Sequence, residues 1–268
     1  MNAPDTVSTA EPVLLSRASA GVVHLTLNRP QQFNALSEQV LAELGEALER
    51  IASDGSARVV VIAGAGKAFC AGHDLKQMRA NPRLEYYQRL FADCARVMRR
   101  IQTMPQPVIA RVHGIATAAG CQLVAACDLA VAASEARFAV SGINTGLFCS
   151  SPAVPLTRNI GRKASFEMLV TGDFIDASTA LARGLVNQVV PLSDLDDAVT
   201  RLAAKIIAKP AVAVAMGKEL FYRQLEMGID AAYQLAVQTM ACNMIDDVAL
   251  EGVDAFIDKR APRWPSPG

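Results

Sequence analysis

Two stretches of this 268-residue chain carry residue types that could do chemistry. They are Phe69-Cys70-Ala71-Gly72-His73-Asp74-Leu75 and Gly114-Ile115-Ala116-Thr117-Ala118-Ala119-Gly120-Cys121. Each runs small residues off the end of an apolar, strand-like segment into a helix. Small side chains let a ligand approach the backbone, and a helix start offers unpaired N–H groups. Two such turns side by side could hold one oxygen between two N–H donors, which stabilises an oxyanion. Close packing of helices on strands produces the same composition, so spacing alone leaves both readings open. Other catalytic patterns fail. Gly64-Ala65-Gly66-Lys67 is followed by Ala68, which lacks the hydroxyl of a phosphate loop, and a dinucleotide loop would need glycine where Phe69 stands. No Gly-x-Ser-x-Gly elbow occurs. The histidines are His24, His73 and His113, none with a second histidine at metal spacing, so no metal is expected. His24 reads as a structural strand residue and His113 as a hydrogen-bonded turn residue.

The elements that must position these turns alternate. Val22 to Leu27 reads as a strand of β-branched residues, stopped by Asn28-Arg29-Pro30. From Ser37, the spacing of Val40, Leu41, Leu44, Leu48 and Ile51 predicts a helix with one buried face. Arg58 to Ala63 is a short apolar run, as in a strand buried on both faces. Tyr87 to Ile101 keeps the helical period, Pro107 to Val112 is a further strand, Ala116 to Ala126 a helix, and Cys127 to Ala133 another strand. Asp74 is expected to cap a helix and Asp128 to hold a turn. The alternation to about residue 190 argues for α/β layers. After Pro191 the pattern is helical only, in four segments that must pack on the core or on another subunit. Residues 1–12 read as a disordered tail.

Composition excludes several classes. Apolar residues are 51% and charged residues 19%, enough for a sizeable core. Lys plus Arg and Asp plus Glu are both 26, so no basic face for nucleic acid or an anionic membrane is expected. The most apolar window, Val108 to Ala133, is broken by Arg111, His113, Gln122 and Asp128, which argues against a membrane span. The N-terminus lacks the pattern of a secretory signal. Six cysteines without a Cys-x-x-Cys pair read as buried thiols, and a cytoplasmic location is expected. The neutral surface and the helical tail together point to a homo-oligomer.

In order, several motifs resemble the enoyl-CoA hydratase/isomerase (crotonase) family over roughly residues 20–264. They are Asn28-Arg29-Pro30 with Asn34-Ala35-Leu36, Phe69 to Leu75, Gly114 to Gly120, and Cys127-Asp128-Leu129. Thr171-Gly172-Asp173, Ala182-x-Gly184-Leu185-Val186 and Phe256-x-x-Lys259-Arg260-x-Pro262 complete the set. Within the family, Ala118 to Leu123 and Gly146 to Ser150 resemble a group of hydratase domain-containing proteins. The resemblance implies an α/β fold: a crotonase-like spiral of ββα units over 13–190 and a helical trimerisation region over 191–268. It implies trimers or dimers of trimers. It also implies a coenzyme A thioester as substrate or ligand in fatty-acid or acyl-CoA metabolism, with no permanently bound cofactor.

By the same resemblance, the backbone N–H groups of His73 and Ala119 would hold the thioester oxygen. Ala35, Ala71, His73, Asp74, Leu75 and Lys76 would line the coenzyme A channel, and Phe256 and Lys259 would reach the coenzyme A of a neighbouring subunit. The two glutamates with which a family hydratase activates and delivers water align with Gln122 and Gly142. Ordinary hydration is therefore expected to be weak or absent. Cys149 aligns with a tyrosine of the family's decarboxylase branch. The alternatives are a silent acyl-CoA binder, or a decarboxylase, thioesterase or isomerase using Cys149 or His73.

Overall fold

The β-branched run at Val22 extends into an antiparallel pair. In the computed structural model, which describes residues 11–264, β1 (Leu14–Ser19) pairs with β2 (Val22–Leu27) around Gly21, whose φ of +79° suits glycine. Of the tail expected over 1–12, residues 1–10 lie outside the described residues. Pro12 is tied by its carbonyl to the Asn28 amide. Helix α1 (Glu38–Ala52) begins where Ser37 accepts from the Val40 N–H, and buries Val40, Leu41, Leu44, Leu48 and Ile51 as the spacing predicts.

From here three successive strands of the main sheet are each followed by a very short second strand. β3 (Val59–Gly64) leads to β4 (Ala68–Cys70) and α2 (Leu75–Ala80), then to α3 (Leu84–Thr103). β5 (Val108–Val112) leads to β6 (Ile115–Thr117) and α4 (Ala119–Ala126). β7 (Leu129–Ala133) leads to β8 (Arg137–Ala139) and a 3-10 turn, Ser141–Thr145. Then come α5 (Ser150–Asn159), α6 (Arg162–Thr171), β9 (Ile175–Asp176), α7 (Ala177–Arg183) and β10 (Gln188–Val190). The long strands form one sheet in the order β1-β2-β3-β5-β7-β10, parallel beyond the first pair. The short ones form a second sheet, β4-β6-β8-β9. This repetition of long strand, short strand and helix is the spiral of ββα units. The four short strands were not in the sequence reading. In particular, the helix expected from Ala116 begins only at Ala119, because Ile115–Thr117 joins the second sheet and Ala118 breaks the chain at φ +51°.

The main sheet is covered on both faces. α1, α3 and α4 bury one face, including Leu25, Val60, Ile62 and Ala110. The other face, with Val59, Val61, Ile109 and Val131, packs against Leu195, Ala198 and Val199 of α8 (Leu195–Ile207). The helical region beyond residue 191 therefore starts as part of the core. It continues as α9 (Ala211–Gln224), α10 (Ile229–Met244) and α11 (Asp247–Ile257).

Asp128 does more than hold a turn. Its carboxylate accepts from the Val108 N–H at 2.6 Å, from Lys218 Nζ at 2.6 Å and from the Tyr222 hydroxyl at 2.7 Å. The Lys218 ammonium also donates to the carbonyls of Ile101 and Gln106, so all three of its protons are used. Burial opposes charge on both partners, raising the Asp128 pKa and lowering that of Lys218, and their mutual attraction offsets it. This buried pair fastens α9 to the core.

Candidate functional site

Asn34, only 1% exposed, organises the first loop. Its side chain accepts from the Arg29 N–H and donates to the carbonyls of Ala65 and Ala68, joining the β2–α1 loop to the β3–β4 turn. The segment then makes a parallel bridge at Leu36 and His73: Leu36 N–H donates to Gly72 O, and Asp74 N–H to Leu36 O. That pattern turns the N–H of His73 away from Leu36. Asp74 caps α2 by accepting from the Gln77 N–H and pairs with Arg29 at 3.0 Å. Burial works against its ionisation, but these hydrogen bonds and the Arg29 charge hold its carboxyl below the usual range.

The two small-residue turns are in direct contact. Gly72 has φ +91°, and a Cβ there would lie 2.9 Å from the Ala118 Cβ and 3.1 Å from the Ala119 nitrogen. A Cβ on Gly120 would collide with the Cys70 carbonyl. Both close approaches require glycine. Ala119 is the first residue of α4, and its N–H, like that of His73, makes no hydrogen bond among the described residues. Ala118, just before it, sits at φ +51° and ψ −121°, a strained conformation for a residue with a Cβ.

These turns form one wall of a cavity of about 260 Å³, and Met78 and Phe91 extend that wall. The opposite wall is the segment from Ser141 through Gly142, Thr145 and Cys149 to Pro152. Of the residues singled out in the sequence, Ala71, His73, Leu75, Ala119, Gly142 and Cys149 line this cavity. Leu75 stands at its edge, 58% exposed. Gln122 lies one turn further along α4, enclosed at 3% exposure. It is not part of the lining, and its Oε1 has no hydrogen-bond partner among the described residues. Ala35 is buried and gives its carbonyl to Arg29, while Lys76 is exposed. Neither lines the cavity, nor does Asp74. Phe256, 85% exposed on α11, and Lys259, at φ +52° beyond it, do not reach the cavity of their own chain.

The His73 ring is turned inward, edge-on to Phe91 at 5.4 Å between centroids, and its Nδ1 has no partner. Burial lowers its pKa, which favours the neutral imidazole. Cys149 Sγ accepts from the Gly142 N–H at 3.3 Å, and burial raises the thiol pKa. Neither Asp nor Glu lines the cavity. His113 Nε2 donates to the Gly66 carbonyl, 2.9 Å away, in the turn role expected of it. Ser141 to Pro152 follows no period, so apart from Gly142 and Cys149, named through the resemblance, its lining residues have no mark in the sequence. Among the described residues no group of three or more His, Cys, Asp or Glu is gathered for a metal, and no helix is long and apolar enough to cross a membrane.

Comparison with known proteins gives the family and the fold. A family model described as enoyl-CoA hydratase/isomerase matches residues 17–267. The chain is 44% identical over 253 residues to the Xenopus laevis protein named enoyl-CoA hydratase domain-containing protein 3, mitochondrial, covering 94% of this chain and 86% of the relative. The human protein of that name is 41% identical over 249 residues, with coverages of 93% and 82%. Among solved structures, an enoyl-CoA hydratase of Mycobacterium smegmatis superposes with a TM-score of 0.94 at 65% identity, covering 95% of this chain and 99% of the other. The human domain-containing protein 3 superposes at 0.91 with 40% identity, covering 94% and 100%.

Proposed function

The chain belongs to the enoyl-CoA hydratase/isomerase family and has the crotonase fold, and on that premise we propose that it binds an acyl-CoA thioester and stabilises the thioester enolate. The observation that carries this reading is the pair of unpaired N–H groups, on His73 and Ala119, brought together at one wall of the cavity. Two fixed dipoles aimed at one oxygen stabilise charge that develops there, and one such donor is commonly worth about 10²–10³ in rate. Titration calorimetry with acetyl-, butyryl- and crotonyl-CoA tests it. Binding of at least one ester is expected, and no binding at millimolar concentration overturns the reading.

Ordinary hydration is expected to be poor. Gln122 and Gly142 stand where the resemblance places the two glutamates, and no carboxylate lines the cavity to replace them. A positioned acid or base typically supplies about 10²–10⁴, so we expect crotonyl-CoA hydration at least about 10³ below a competent enzyme. A rate of about 10 per second or more would overturn this. The same missing carboxylate favours a second reading, a catalytically silent acyl-CoA binder.

The partner surface also follows from a named feature. Ile229, Tyr233, Val237, Met240 and Met244 form an exposed apolar stripe at helical spacing along α10. We read it as the contact with further copies of the chain in a trimer or dimer of trimers, and sedimentation showing a stable monomer at micromolar concentration would refute it. Cys70 and Cys121, pushed by burial up to about 12, and the other free thiols suit a reducing compartment such as the cytoplasm. The vertebrate relatives carry the word mitochondrial in their names, and imaging of a tagged chain in its own cells distinguishes the two locations.

A further inference from the structure

This inference rests on the reading of the cavity as an acyl-CoA site and concerns the chemistry done there. Among the lining residues, His73 and Cys149 have the only side chains that exchange protons near neutrality; the others are apolar, glycine or hydroxyl-bearing. The nearest carboxylate in sequence, Asp74, is occupied by Arg29 and the start of α2. A proton step on an acyl group inside the cavity therefore has two protein groups to use. Their placement suits opposite roles. The His73 ring is held by Phe91 with Nδ1 buried; Nε2 is not buried and makes no hydrogen bond among the described residues, so in the tautomer with its hydrogen on Nδ1 it is the nitrogen that can accept a proton from a ligand. Cys149 Sγ already accepts the Gly142 N–H, and it stands 2.7 Å from where a Cβ on residue 142 would be. The thiol thus fills the space in which a side chain at 142 would begin.

We infer that the site exchanges protons at the α-carbon of a bound, uncharged acyl thioester, with the His73 imidazole as base and the Cys149 thiol as acid. In the forward step the imidazole nitrogen takes the α-proton. The C–H electron pair becomes the carbon–carbon double bond of the enolate, and the carbonyl π pair moves onto the oxygen facing the N–H groups of His73 and Ala119. In the return step the thiol gives its proton to the α-carbon, the carbonyl re-forms, and a thiolate remains. Transfer of the proton from imidazolium to thiolate through solvent restores both groups, so no oxidant or further reactant is consumed. The opposite pKa displacements of the two groups fit this division, with neutral imidazole as base and intact thiol as acid. No lysine or arginine lines the cavity, so an acyl group ending in a carboxylate would be desolvated without a counter-charge. That disfavours decarboxylation relative to proton exchange.

The test is incubation of the full chain with butyryl-CoA in D₂O, followed by mass spectrometry of the thioester, with calorimetric binding measured in parallel. Deuterium is expected to replace the α-hydrogens. Cys149→Ser and His73→Gln, which keeps the backbone N–H of residue 73, are each expected to slow exchange by at least about 100-fold while butyryl-CoA still binds. Binding without exchange in the parent overturns the inference and leaves the acyl-CoA reading intact. Exchange that persists undiminished in either variant also overturns it, since the proton then has another route. Absence of binding overturns the acyl-CoA reading itself.

Discussion

Replacing Gly142 by alanine measures how tightly the far wall of the cavity is built. The added Cβ would lie 2.6 Å from the Leu147 carbonyl oxygen and 2.7 Å from Cys149 Sγ. One neighbour is backbone and the other is a short, buried side chain, so neither swings aside as the tip of a long one would. The segment is also closed on itself: Leu147 N–H donates to Gly142 O at 3.0 Å, and Gly142 N–H to Cys149 Sγ at 3.3 Å. Overpacking of this kind costs about 1–3 kcal/mol, and a weakened hydrogen bond adds about 0.5–1.5 kcal/mol. Together we expect a loss of about 1.5–4.5 kcal/mol. Urea unfolding followed by circular dichroism reads it directly, and in a thermal scan each kcal/mol lowers Tm by about 2–4 °C for a chain of this size. A stability within about 0.5 kcal/mol of the parent would refute the reasoning, since the 141–149 segment would then yield freely. A glutamate at 142 would meet the same two neighbours. At 122 a glutamate would enter an enclosed position whose existing Oε1 already has no partner, and burial would hold it protonated. The double variant Gln122→Glu/Gly142→Glu is therefore expected to hydrate crotonyl-CoA no faster than the parent.

Three further outcomes are expected. Lys218→Met leaves the Asp128 carboxylate buried without its cation, and should cost about 3–5 kcal/mol by chemical denaturation; a loss under about 1 kcal/mol would show the pair is not what fastens α9. Ala118→Gly should relieve about 1–3 kcal/mol of backbone strain against an entropic cost of about 0.5–1 kcal/mol, so thermal unfolding should shift upward, and a downward shift contradicts the strain. Burial lowers the pKa of His24, His73 and His113 from 6.5, so the unfolded chain binds more protons just below that value. Their contribution is present above about pH 6.5 and is lost as pH falls through the depressed folded values. His73→Gln should accordingly show a shallower fall in urea midpoint between about pH 7 and pH 5 than the parent, and identical slopes would rule out a buried His73.

Much of the fold was legible because long elements leave periodic marks. α1 shows its buried face in five apolar residues and its start in Ser37. β2, β3 and β5 show as short apolar runs. The second sheet left no such mark, since strands of two or three residues are shorter than any period they could display. That is why Ile115–Thr117 merged into the helix after it. The near wall of the site was legible from the small residues that two touching turns demand. Of the far wall only Gly142 and Cys149 were named, and only through the resemblance, because Ser141 to Pro152 is shaped by one 3-10 turn and contacts such as Gly142 with Cys149 rather than by any period. Asp128 was noticed in sequence, but its partners Lys218 and Tyr222 are separated from it by 90 and 94 residues, and no local pattern joins them.

That separation also orders events in time. The acceptor for Lys218 is complete only when Asp128, just before β7, lies beside Val108 of β5, so the sheet must exist before α9 has anything to hold. Closing so long a loop costs entropy that no local contact offsets, which places the tie on the native side of the folding barrier. Loss of the tie should then quicken unfolding and leave refolding nearly unchanged, the signature of a contact made late. α10 follows α9 in the chain, so its apolar stripe takes its final position only after the tie closes. On the proposed reading of that stripe as the contact between copies, their encounter would be deferred until each chain has finished its own sheet, since a half-folded chain has no ordered stripe to offer.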